Sequence, residues 1–175
     1  ERLPDAAPRV ALDPEWGMVT AGISAFYAEA TAEIYRHSMK IQSRAEALEA
    51  YASLSPREVL ATEIEYGGFE QTVRSRRDLA GQVVLVDRAL SNRAGVETLL
   101  ARGAAVIGLD DDPAVEALHP QPEYLGLCCD PTGIAAALEQ AVRRFGGIDL
   151  LIADNPALAA ACEPLLELSP VRKTT

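Results

Sequence analysis

Residues 79–112, LAGQVVLVDRALSNRAGVETLLARGAAVIGLDDD, constrain the fold more than any other stretch. Residues 83–86 are a run of Val and Leu with no polar member, bounded by Gly81 and by the polar segment that starts at Asp87. A strand covered on both faces has this composition. Val96, Leu99 and Leu100 then recur at helical spacing, and Gly103 stands where a helix ends in a left-handed residue. Residues 105–109 form a second apolar run, closed by Asp110, Asp111 and Asp112. Parallel strands joined by one helix cross over right-handedly, so both strand ends fall on the same rim. The order is that of a mononucleotide-binding βαβ unit, which holds its ligand on that rim. Asp110 stands where an acid accepts hydrogen bonds from a ribose.

The turn after the first strand departs from that pattern. A dinucleotide cradle wants several glycines, because a Cβ atom there collides with the pyrophosphate. Residues 87–95 read DRALSNRAG, so only Gly95 remains, and Asp87 adds negative charge. Arg88 and Arg93 offset it. Asn92, Arg93 and Gly95 are the candidate phosphate contacts.

Two further strands are expected over residues 124–129 and 148–153, closed by Asp130-Pro131-Thr132 and Asp154-Asn155-Pro156. Helices follow them over residues 133–145 and 157–168. The segment 113–122 is an irregular or short helical connection. Upstream, residues 1–15 read as a Pro-rich extended lead-in, and residues 16–20 as a turn into a short strand. A long helix starts after Ser24 and runs to about Ala50. Its apolar stripe of Tyr27, Ala30, Ile34, Ile41, Ala45 and Leu48 must pack on something. Ser55-Pro56-Arg57-Glu58 carries the pattern of a capping box. A short helix is expected over residues 69–77. The expected architecture is α/β: a partial Rossmann fold with a four-stranded parallel sheet in the order 3-2-1-4 and flanking helices, preceded by a mainly helical segment. The expected divisions are 1–78, 79–170 and a disordered tail at 171–175.

The net charge of −10 argues against nucleic acid and against anionic membranes, since both need basic patches. Cys128, Cys129 and Cys162 form no Cys-x-x-Cys motif and no Cys/His cluster, so no metal site is expected. Reduced thiols and the lack of a signal peptide or long apolar span point to the cytoplasm. The chain opens at Glu1 rather than Met, as a processed or truncated piece would. His37 and His119 have no nearby partners in sequence and are expected to be solvated or packed.

From Leu79 to Leu168 the chain resembles the first half of a short-chain dehydrogenase/reductase. The match rests on LAGQVVLV, the acid after the second strand, CDPT after the third and FGGIDLLIADNP at the fourth. The resemblance implies NAD or NADP as cofactor, with the glycine-rich positions within 87–95. It makes Asp110 the ribose acid and Asp130 the adenine contact. Residues 153–156, including Asn155, stand for the Asn-Asn-Ala-Gly motif, and Asp149 pins the fourth strand. The departures are a shortened turn without its first two glycines and a mostly lost Asn-Asn-Ala-Gly. No Tyr-x-x-x-Lys pair occurs anywhere in the chain. Residues 9–77, with RVALDPEWGMVTAG, AEIYRHS and LSPREVL, resemble the linking region of bifunctional rhamnulose-phosphate aldolase/dehydrogenases, where a class II aldolase domain precedes the dehydrogenase. That family's metal-binding His residues match nothing here.

The expected function is that of a short-chain-dehydrogenase-like, NAD(P)-binding-fold protein that is catalytically inactive as this chain. Its role would be as scaffold or oligomerisation module, through the helix at 24–50 or the sheet edge of a homo-oligomer. The alternative is an NAD(P)-dependent oxidoreductase fragment of a bifunctional aldolase/dehydrogenase that still binds dinucleotide.

Overall fold

The structure is a computed structural model and describes residues 8–66 and 77–168. It divides into two compact units, one of residues 1–22 with 27–76 and one of residues 23–26 with 77–175. The helix expected over 69–77 and the tail 171–175 lie, Arg77 apart, outside the described residues.

The first unit opens on an antiparallel hairpin, β1 (Val10–Asp13) and β2 (Gly17–Thr20), in which Val10 pairs with Thr20 and Asp13 with Gly17. The sequence suggested a lead-in and a strand, but not their pairing. The turn is closed by the Asp13 carboxylate, which accepts the amides of Glu15 and Trp16, both at 2.8 Å. Gly17 takes the left-handed conformation (φ +81°) that such a turn requires. Helix α1 (Ala25–Glu46) and helix α2 (Pro56–Tyr66) follow. The capping box forms as the sequence indicates: Glu58 accepts the Ser55 amide at 2.8 Å and the Ser55 hydroxyl at 2.7 Å.

The apolar stripe expected on α1 is only partly covered: Tyr27, Ala30 and Ala45 are half-buried, and the best-packed face lies to one side of it. The helix ends at Glu46, and its packed face carries Ala28, Thr31, Ala32, Tyr35 and Ser38, with Ala32 buried. Ile34, Ile41 and Leu48 stand out at 67%, 52% and 90% exposure. Close approach to the hairpin accounts for the choice of small residues. The Thr20 hydroxyl donates to the Ala28 carbonyl at 2.9 Å, and a Cβ on Gly22 would come within 2.6 Å of the Ala28 nitrogen. Beside the hairpin, at Ala28 and Ala32, only small side chains fit, and the large aliphatic ones lie on the other side.

The second unit is a four-stranded parallel sheet with strands β3 (Val83–Val86), β4 (Ala105–Asp110), β5 (Tyr124–Cys128) and β6 (Leu150–Ile152). Their spatial order is β5-β4-β3-β6, the expected 3-2-1-4. The register sets Val84 beside both Val106 and Leu150. The links are α3 (Arg93–Ala101), a 3-10 turn (Pro113–Ala117) and α4 (Ile134–Phe145), and α5 (Pro156–Leu168) follows β6. Alternate residues of β3 feed two cores: Val83 and Leu85 pack with α4 and α5, and Val84 and Val86 pack with α3. At the end of α3 Gly103 (φ +94°) donates to Leu100 O and Ala104 to Leu99 O, a Schellman closure. Asp149 ties the sheet centre together: its Oδ2 accepts the Val83 amide and its own amide donates to Val83 O, each at 2.8 Å.

One feature of the β4–β5 pair escaped the sequence reading. Gly108 and Gly126 are register partners, and their missing side chains leave a hollow on one face. The Val115 backbone packs over Gly126, while Tyr124 and Ala89 pack over Gly108. The short 3-10 turn can therefore cover this face in place of a full helix. Gly126→Ala drives a Cβ into the Val115 carbonyl and should cost about 1–3 kcal/mol. Gly146→Ala meets no atom within 4 Å but must hold φ +86° and should cost about 1 kcal/mol. Urea midpoints of the two variants should fall in that order.

Candidate functional site

The candidate site is the rim at the C-terminal ends of β3, β4, β5 and β6. The turn at residues 87–92 folds down onto it. The Asp87 amide donates to Ile152 O at 2.9 Å and the Ala89 amide to Leu109 O at 3.0 Å. The Leu90 amide donates to Asp110 Oδ2 at 3.0 Å. Ala89 is fully buried. Arg88 adopts φ +50°, an uncommon conformation for a residue with a side chain, and it lets the chain turn this sharply without glycine. In a phosphate cradle such amides face outward to the anion. Here the Ala89 and Leu90 amides are turned to β4 instead, while the Asp87 bond continues the β3–β6 ladder.

Each candidate residue has a definite place. Asp110 accepts Leu90 N on one oxygen and Asp111 N (3.1 Å) on the other, so it serves the turn above it. Asn92 precedes α3 without a capping bond from its side chain, and its carboxamide lies over Gly95, where a Cβ would overlap it. Gly95 is thus explained by the neighbouring asparagine as well as by any phosphate. Arg93 pairs along α3 with Glu97 at 3.0 Å, an exposed pair. Asp130 Oδ1 accepts the Thr132 hydroxyl at 2.6 Å and the amides of Thr132 and Gly133 at 2.8 and 2.9 Å, closing the turn that leads into α4. The Thr132 hydroxyl and then these amides hold its carboxyl below the ordinary value. Asn155 Oδ1 accepts Ala157 N at 3.0 Å and Leu158 N at 3.4 Å, which makes it the N-cap of α5. The rim therefore gathers the turn and Asp110, while Asp130 and Asn155 each begin a helix.

Beside Asp130 an open cleft of about 360 Å³ runs between the end of β5 and α4, lined by Glu116, Cys128, Cys129, Gly133 and Gln140 among others. The sequence showed the paired thiols but not the cleft, which needs α4 to be set against the strand end. Partial desolvation pushes both thiols up, helped by Glu116 and the Asp110–Asp112 acids at Cys128 and by Cys128 and then Asp130 at Cys129, so neither is a ready nucleophile near neutral pH. Tyr124 was also unremarked. Its hydroxyl donates to Val115 O at 3.0 Å, its ring meets His119 edge-on at 5.3 Å, and burial pushes it up to about 12. Both groups serve packing. Among the described residues no group of His, Cys, Asp and Glu is arranged to hold a metal ion.

Residues 1–72 match the family model described as aldolase class II, second domain. The match falls on the hairpin and helices that had suggested an aldolase-type segment. Two solved structures are similar to the sheet unit. One, from Pseudomonas syringae, is described as a short-chain dehydrogenase; it shares 20% identity at a TM-score of 0.46, over 55% of this chain and 57% of its own. The other is the ligand-free aldohexose dehydrogenase of Thermoplasma acidophilum, with 18% identity and a TM-score of 0.42, over 53% of this chain and 47% of its own. The chain thus spans about half the length of either. At these values the similarity adds no weight, and the Rossmann-like assignment rests on the strand order and parallel pairing described above.

The Asp130 turn predicts a pH dependence. Its carboxyl lies below the ordinary value of 3.8 when folded, so its contribution is in full above that value and is lost as pH falls through the lowered one. Thermal midpoints of the protein and of Asp130→Ala, followed from about pH 6 to about pH 2, should differ at the upper end and converge at the lower. Thiol labelling gives a second check. Cys128 is exposed and should react first, whereas Cys162 is buried with its thiol pushed up to about 11 and should react only on unfolding.

Proposed function

We propose that this chain is a short-chain-dehydrogenase-like scaffold whose nucleotide rim is closed by its own backbone, joined to an aldolase-type segment, and that it carries out no hydride transfer itself. The observation that supports this most directly is the engagement of the Ala89 and Leu90 amides by Leu109 O and the Asp110 carboxylate. A dinucleotide's pyrophosphate needs outward-facing amides at that place, and its ribose needs a free acid. The inward-turned amides and the amides already held by Asp110 both disfavour a dinucleotide, and Asp87 adds charge of the wrong sign. The sequence of this chain also carries no Tyr-x-x-x-Lys pair to hold and deliver a proton to a carbonyl. Its work is then structural, in holding or assembling other parts, and the cytoplasm remains the compartment we assign on the basis of its reduced thiols. No helix among the described residues is long and apolar enough to cross a membrane.

A second reading keeps dinucleotide binding, with NAD or NADP held by Asn92, Arg93, Gly95, Asp110, Asp130 and Asn155 in a fragment of a bifunctional aldolase/dehydrogenase. It is favoured by the open cleft beside Asp130, in the region where an adenine would be placed. Calorimetric titration separates the two. The scaffold reading expects no heat with millimolar NAD, NADP or ADP, and saturable heat below that range would replace it with the second. Hydrogen exchange probes the latch itself: Asp110→Ala should speed exchange of the Leu90 amide by at least ~tenfold, the loss of one charge-assisted hydrogen bond, while leaving Leu85 protected.

A further inference from the structure

Along α1 runs a stripe whose largest members, Ile34 and Ile41, stay exposed, while Tyr27, Ala30 and Ala45 on its edge are half-buried. Tyr27, Ile34, Ile41 and Leu48 recur every seventh residue, with Ala30 and Ala45 on the same stripe. Ile34 and Ile41 are more than half exposed. Leu48 continues the stripe in the turn after the helix, where its amide donates to Ala45 O at 3.0 Å. A sustained seven-residue repeat on a surface helix is the spacing of a helix–helix seam. With 22 residues, α1 is about 33 Å long, enough for such a seam.

The stripe is also a palindrome in position. A two-fold axis between His37 and Ser38 sets Ile34 of one copy at the level of Ile41 of the other, Ala30 at Ala45 and Tyr27 at Leu48, in both directions at once. The charges along one flank follow the same symmetry. Glu33 lies in the N-terminal half, and Lys40 and Arg44 lie in the C-terminal half. The antiparallel arrangement therefore brings Glu33 between Lys40 and Arg44 of the second copy, twice over. A parallel arrangement brings each charge to the level of its own kind. Among the described residues Glu33 pairs with an exposed Arg36 at 3.7 Å, a weak pair that does not compete strongly.

We infer that α1 is the seam of an antiparallel homodimer of this chain, an isologous contact built on Ile34 and Ile41 and oriented by Glu33 against Lys40 and Arg44. It deepens the scaffold reading, and the two can fail separately, because titration reads the rim and sedimentation reads the helix.

Sedimentation equilibrium on the whole chain, from low micromolar to several hundred micromolar, tests it. The expected result is a monomer–dimer equilibrium. Ile34→Glu and Ile41→Glu should each raise the dimer Kd at least ~tenfold, as loss of a central apolar contact does. Both positions are exposed, so circular dichroism should confirm that helix content is kept. Glu33→Lys and Lys40→Glu should each weaken the dimer, and the double variant should restore it, which a merely solubilising surface charge would not do. A single monomeric species across the range would overturn the inference. So would a dimer that Ile34→Glu leaves unchanged, or charge swaps whose effects simply add.

Discussion

Strand β3 is covered on every side. It has a strand along each edge, α4 and α5 against one face and α3 against the other, and all of its residues are buried. A strand in that position has no solvent to satisfy its backbone, so each of its polar groups must be paired within the sheet or by what joins it. The Asp149 carboxylate on the Val83 amide is one consequence, and the ladders to β4 and β6 are the rest. The four apolar side chains of β3 are divided between two cores, and the whole second unit is assembled around that division.

The same accounting governs the rim. A chain leaving a buried strand carries amides that need acceptors. With several glycines it can arch away and turn those amides toward a bound phosphate. Residues 87–92 are without glycine, and they bend instead through a single left-handed residue, Arg88, so that Ala89 is buried and the Leu90 amide faces Asp110. The carboxylate that would meet a ribose becomes the acceptor that holds the turn. Asp130 and Asn155, at the other strand ends, likewise cap the helices that begin beside them. In each case a backbone donor near the rim is satisfied by a side chain that the dehydrogenase pattern would assign to a ligand.

The first unit follows a different logic. Its described residues bury little, and its large apolar side chains lie on the outward face of α1 and on the hairpin, with Trp16 at 83% exposure. Small domains depend on burial for their stability, and the described residues of this unit supply little of it. The second unit, by contrast, closes two cores around β3.

Much of the architecture was legible in the residues. The run at 83–86, the acids closing 105–109 and the position of Gly103 specify strand, crossover and strand. Only local periodicity and the need to bury apolar surface are involved, and the parallel order followed from the helices between. The capping box at Ser55 was legible for the same reason, since it acts within a few residues; Asp149 came from the resemblance, and the N-cap role of Asn155 emerged only from the structure. Three things were decided by the tertiary structure alone. The packed face of α1 was set by close approach to the hairpin, which favours Ala28 and Ala32 over the more apolar Ile34 and Ile41. The hollow made by Gly108 and Gly126 exists only because two distant glycines are brought into register. The closure of the rim depends on where the Leu90 amide points once Ala89 is buried. Composition limits what a segment can bury; which neighbour it meets depends on contacts between residues far apart in the chain.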